Sequence, residues 1–153
     1  MNPEQKLKQF IEKNNISAEQ LFFTEETRTV QQAAKAANAS PKDFIKSVVF
    51  TNKENTIVVI ISGSDRVDKS KVKSFLNLER KLEIATPDIV LERTGFPAGG
   101  VPPFGFNALF LMDKNVLKKD LVLGGGGSIN SLIRITPKEI KKANNARIGD
   151  FIQ

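Results

Sequence analysis

Three places in this 153-residue chain gather residue types that could do chemistry. The first is Gly95–Gly105, where eleven residues hold four Gly and three Pro. Proline fixes φ, while glycine permits positive φ and close backbone approach. Together they make a stiff loop whose N–H groups could receive an oxyanion or an ester carbonyl without any side chain. A purely structural crossover loop has the same composition. The second place is Lys46, in the run Ile45–Thr51. Strand alternation puts Lys46 on one face with Val48 and Phe50, and Ile45, Ser47 and Val49 on the other. Both faces are apolar, as in a central strand. Such a lysine either snorkels out at the strand end or sits in a cleft. In a cleft it could hold a phosphate or a developing negative charge, and desolvation would lower its pKa. The third place is the four-glycine run Gly124–Gly127, with Ser128, Asn130 and Ser131 after it. A phosphate loop would need Gly-Lys-Ser/Thr leading into a helix, and this run leads into a strand. It reads instead as a bulge, or as a place where something packs against the backbone, substrate included.

The missing residue types narrow the chemistry. Histidine, cysteine, tryptophan and tyrosine are absent, and all 11 aromatics are Phe. A thiol nucleophile, a Cys/His zinc site, a disulfide scaffold and a Ser-His-Asp triad are therefore excluded. Any acid or base must be Asp, Glu, Lys, water or the substrate. Asp65, Arg66 and Asp68 read as a helix cap with a surface ion pair, and Asp113 as a turn residue.

The elements that position these residues follow from caps and periodicity. Asn2-Pro3-Glu4 starts a helix carrying Leu7, Phe10 and Ile11, which ends at Asn14-Asn15. Ser17 with Gln20 forms a second capping-box pattern, and Thr29 with Gln32 a third, opening a helix through Ala37. Leu21–Phe23 is a short strand. Ser40-Pro41 begins a helical turn. Ile45–Thr51 and Thr56–Ser62 form a hairpin across the turn Asn52–Asn55. Asp68 and Thr86-Pro87 start helices ending near Leu76 and Thr94. Further strands are expected at Leu82–Ala85, Ala108–Met112, Asp120–Leu123, Ser131–Ile135 and near Arg147–Ile152. Thr136-Pro137 caps a last helix to about Ala143. The interleaving, with several hairpin junctions, indicates a mixed α/β fold with no internal repeat and no linker. Length and composition (40% hydrophobic, 26% charged) suit one globular domain over residues 1–153.

Taken in order, Thr29–Ala34, Phe44–Phe50, Ser64–Asp68, Thr94–Gly105 and Gly124–Gly127 resemble the YbaK/ProX family of aminoacyl-tRNA editing domains, which also occur inserted in bacterial prolyl-tRNA synthetases. The resemblance covers roughly residues 20–150. It implies a strongly bent mixed sheet flanked by helices. It also implies hydrolysis of the ester that joins a wrong amino acid to tRNA. In the family the strand lysine contacts the terminal adenosine end, a role that carries to Lys46. The glycine loop binds the aminoacyl carbonyl, which carries to Gly99, Gly100 and Val101, with Pro103, Phe104 and Gly105 shaping the pocket. Thr29, Ser47, Gly127, Ser128, Asn130 and Ser131 would line the amino-acid side. An activated ester needs only a placed water and hydrogen bonds to the developing oxyanion, so no metal or cofactor is expected.

The expected function is thus deacylation in trans of mischarged tRNA, with a small amino acid or cysteine on tRNA-Pro or a related tRNA. The alternative is a non-catalytic module that binds an aminoacyl end, a nucleotide or a synthetase. The expected partners are the tRNA acceptor end and an aminoacyl-tRNA synthetase, with no DNA and no membrane. The net charge of +6 favours anionic partners. The excess is concentrated in residues 101–153, which carry 8 basic and 4 acidic groups. There Lys138, Lys141 and Lys142 share one helix face, either simply solvated or touching phosphates. The longest apolar runs, Ile57–Ile61 and Ala108–Met112, cannot span a bilayer. With no export signal in the sequence, the expected compartment is the cytoplasm.

Overall fold

The computed structural model describes residues 1–53 and 55–153. Glu54, which the sequence places in the Asn52–Asn55 turn, lies outside the described residues. In chain order the elements are α1 (Pro3–Lys13), β1 (Ala18–Phe22), α2 (Val30–Ala37), β2 (Ile45–Asn52), β3 (Asn55–Ser62), α3 (Lys69–Leu76) and β4 (Glu83–Ile84). There follow α4 (Pro87–Thr94), β5 (Leu109–Asp113), β6 (Val122–Gly125), β7 (Ser131–Ile135), α5 (Pro137–Asn144) and β8 (Arg147–Gly149). Single 3-10 turns occupy Pro41–Asp43 and Val116–Lys118.

The β-branched runs of β2 and β3 pair antiparallel over their whole lengths, from Ile45↔Ser62 to Asn52↔Asn55. They form the centre of a five-stranded mixed sheet in the order β4-β2-β3-β5-β8, with β3/β5 and β5/β8 parallel. A second, antiparallel sheet has the order β1-β7-β6. A single parallel bridge, Phe44↔Leu123, joins the two. The bend expected of one sheet is therefore a junction between two.

Alternation along β2 divides its side chains between two cores, as the sequence predicts. Ile45 and Val49 pack with Val58, Ile60, Phe104 and Met112. Phe50 packs on the other side with Ile57, Ile61, Val72 and Phe151. Helix α1 closes the first core. Its capping box pairs Asn2 with Gln5, Leu7 and Ile11 are buried, and Phe10 stacks on Phe104 at 5.7 Å. Thr29/Gln32 and Asp68 cap α2 and α3 as expected.

Two expectations fail. Ser17 and Gln20 open no helix. The Ser17 N–H donates to Glu139, and Ala18–Phe22 pairs with β7. Strand β6 also starts two residues later than Asp120 and takes in Gly124 and Gly125. Smaller shifts occur at β4 and at β8, which stops at Gly149 before Ile152 bridges Val67.

Asp113 is 1% exposed, and its carboxylate accepts from the Phe151 and Asn115 N–H groups. It ties the C-terminal segment to the end of β5. Asp113→Leu leaves two amides unpaired. It is expected to cost about 2–4 kcal/mol, read as a lowered urea midpoint at unchanged slope.

Candidate functional site

The burial pattern of β2 shows where the sheet is open. Ile45, Val49 and Phe50 are buried, while Lys46, Ser47 and Val48 between them are partly exposed. On this side the Phe44↔Leu123 bridge closes one end of a gap, and the Val49 carbonyl, which accepts from the Ala85 N–H at 2.9 Å, closes the other. Strand β4 is only two residues long and pairs with Phe50 and Thr51. Three residues of β2, roughly 10 Å of chain, therefore have no paired strand on that edge among the described residues. In an antiparallel strand the N–H and C=O of one residue point the same way, and successive residues alternate. Since the Val49 carbonyl faces β4, the Ser47 N–H and C=O face this window.

The window opens into a cleft of about 270 Å³. Its walls include Thr27–Val30, Ala33, Ile45–Val49, Ile84, Ala85, Ala98, Gly99, Val101, Gly124 and Gly125. Arg28 and Lys46 are its charged lining residues, and no carboxylate lines it among the described residues. Burial holds the Lys46 ammonium below the ordinary lysine value, the Arg66 cation adds to that, and Asp65 opposes it. The expected surface ion pair between Asp65 and Arg66 does not form among the described residues. Both bear instead on Lys46.

The two glycine-rich segments meet behind this cleft. The Gly100 N–H closes a turn onto the Pro97 carbonyl at 2.9 Å, and the Gly100 carbonyl accepts from the Gly127 N–H at 2.8 Å. A Cβ on Gly100 would lie 2.5 Å from the Ser128 carbonyl oxygen, and one on Gly125 would lie 2.1 Å from that of Val101. What packs against the glycine run is thus the other glycine loop. Gly99 sits in the turn at φ +87°, against the backbone of Arg28. Its N–H and that of Val101 have no intramolecular acceptor among the described residues. Helix α1 backs the arrangement from behind, with the Pro3 carbonyl oxygen 3.2 Å from where a Gly127 Cβ would stand.

Of the residues singled out from sequence, the structure gathers Lys46, Ser47, Thr29, Gly99 and Val101 on the cleft wall. Gly100 lies just behind. Pro103 and Phe104 are buried under α1, Gly105 beside them is half-buried, and the Pro103 carbonyl accepts from Asn144. Gly127, Ser128, Asn130 and Ser131 do not reach the wall. Ser128 bonds to Ser131 and Asn130, and Asn130 donates to the Phe23 carbonyl, so the cluster fastens the segment before α2. Thr27 joins the same tie, its N–H donating to the Ile129 carbonyl at 2.6 Å. Arg28 is a wall residue that the sequence motifs do not mark. Its signal was an arginine directly before a capping threonine, which places a cation at a helix entrance. Gly124 and Gly125, the first two glycines of the run, also line the cleft. Among the described residues there is no cluster of metal-ligating side chains, and no helix is long and apolar enough to cross a membrane.

Comparison with known proteins places this arrangement. The chain is 30% identical over 129 residues to the uncharacterized protein YwhH of Bacillus subtilis, covering 82% of this chain and 81% of that one. It is 30% identical over 108 residues to a proline–tRNA ligase of Thermosipho melanesiensis, covering 69% of this chain and 19% of the ligase. The chain thus spans about a fifth of such synthetases. A crystal structure described as a candidate trans-editing enzyme for prolyl tRNA synthetase superposes with a TM-score of 0.87 at 29% identity, over 100% of this chain and 98% of that one. The aminoacyl-tRNA editing domain model matches residues 24–143, which take in the whole cleft and both glycine segments, and to that family the chain belongs.

Proposed function

We propose that this protein is an aminoacyl-tRNA deacylase that acts in trans on mischarged tRNA, with residues 1–153 forming one editing domain. The observation that carries the reading is the pair of amides, Gly99 and Val101, that are unpaired among the described residues and fixed in a cleft whose described lining holds two cations and no carboxylate. The ester carbonyl lies against those amides, which donate to the oxygen as it gains charge during attack by water. Because the loops are already locked, little reorganisation accompanies the reaction. Lys46 and Arg28 receive the phosphate-bearing end of the tRNA. Water adds to the carbonyl carbon, the bond to the ribose oxygen breaks, and the free amino acid and the tRNA 3′ end leave. The ribose oxygen takes the proton that water loses. Relatedness to proline–tRNA ligases favours tRNA-Pro as the carrier and a synthetase as the partner. The cytoplasm, where aminoacyl-tRNA is made and used, is the place of action.

The test is single-turnover hydrolysis of tRNA-Pro charged with alanine, cysteine, serine or proline, together with near-cognate esters of tRNA-Ala and tRNA-Thr. The expected result is rapid loss of one or two non-cognate esters and sparing of prolyl-tRNA-Pro. Folded protein that binds tRNA and cleaves none of them would make it a binding module.

A further inference from the structure

The deacylase reading leaves open what holds the amino group of the substrate. An amine needs an acceptor, and the cleft supplies few. No carboxylate lines it among the described residues, and Arg28 and Lys46 repel a cation. The Thr29 hydroxyl already accepts from the Gln32 N–H, and that of Thr27 is turned to the Ile129 and Ser131 carbonyls. The edge of β2 is different. At Ser47 the strand offers a main-chain carbonyl, in the middle of a gap closed at one end by the Phe44↔Leu123 bridge and at the other by Ala85. Three residues of open edge admit one extended residue and not a strand.

We infer that the Ser47 main-chain carbonyl is the acceptor for the substrate's α-amino group, so that the aminoacyl moiety docks as a one-residue strand against the open edge of β2. The protein then selects for an α-substituent that donates a hydrogen bond, independently of side-chain size. A site built around a hydrogen bond rejects an analogue that lacks the donor, because the bound analogue covers the acceptor and leaves it unpaired.

This inference rests on the deacylase reading, and its test separates the two. Alanyl-, lactyl- and propionyl-tRNA-Pro are nearly isosteric and carry an amine, a hydroxyl and no donor at that position. Each enzymatic kcat/KM is divided by the rate of spontaneous hydrolysis of the same ester, which removes differences in intrinsic reactivity. Lactyl-tRNA is expected to stay within about tenfold of alanyl-tRNA, and propionyl-tRNA to fall by about tenfold to a hundredfold or more. The propionyl deficit is expected to persist in Ser47→Ala, which retains the carbonyl. Equal normalised rates for alanyl and propionyl esters would overturn the inference and leave the deacylase reading standing. A deficit that vanishes in Ser47→Ala would assign the contact to the hydroxyl and also overturn it. Cleavage of none of the three esters would sink the deacylase reading for this tRNA, and the inference with it.

Discussion

Gly125→Ala is expected to destabilise the protein by about 3 kcal/mol or more and to reduce deacylation at least about a hundredfold. The added Cβ would stand 2.1 Å from the Val101 carbonyl oxygen, and main-chain atoms of both Gly100 and Val101 lie within 3.0 Å of it. No side-chain rotation relieves that clash, so one loop must move. The loop that moves is the one carrying the Gly99 and Val101 amides. Gly124→Ala is the contrast. Its Cβ would meet only the Ile45 side chain, at 3.1 Å, and a side chain can shift. Its expected cost is about 1 kcal/mol. Urea denaturation and single-turnover hydrolysis of both variants check this. A Gly125→Ala protein with the parental midpoint would mean that the two loops are not in contact in solution.

Lys46→Met is expected to reduce kcat/KM by about tenfold to a hundredfold while leaving the thermal midpoint unchanged or slightly raised. The two effects separate because the lysine is held in a partly desolvated position. Its ammonium is disfavoured first by burial and then by the Arg66 charge, with Asp65 opposing both. The folded protein therefore binds this proton less tightly than the unfolded chain does. The contribution of this group to stability rises as pH climbs from the lowered folded value toward the ordinary 10.5. Methionine keeps the stem packing and removes the desolvated charge. Melting curves beside hydrolysis rates decide the matter, and a variant that is fully active would remove Lys46 from the site.

Much of this was legible in the residues. The alternation at Ile45–Phe50 divided the side chains of β2 between two faces, because successive residues of a strand point to opposite sides. Asn2, Thr29, Asp68 and Thr136 marked helix starts, because each supplies an oxygen to the first-turn amides. Ser17 misled because its capping pattern with Gln20 is local, whereas pairing with β7 is not. Pairing with β7 and partial burial of Ala18, Gln20 and Leu21 outweigh a cap that has no amphipathic run behind it. The window at Ser47 was illegible for a related reason. It depends on β4 being only two residues long and on the second sheet pairing with this segment only through the bridge at Phe44. Neither fact is written in β2. The partner of the glycine run was hidden in the same way, since Gly100 and Gly125 lie far apart in sequence and only the fold brings their backbones together.

The gap in the edge of β2 also bears on self-association. Unpaired strand edges are the usual template on which a second copy adds and an aggregate grows. Here the exposed length is three residues, bounded by a bridge and by β4, and a lysine is the first of them. A second chain could form too few bonds there to seed a fibre, and it would have to bury that charge. Replacing Lys46 with a β-branched apolar residue would remove the charge and leave only the shortness of the opening as protection. Under the proposed function, the lysine that receives the tRNA end would thus also guard this edge against a second copy.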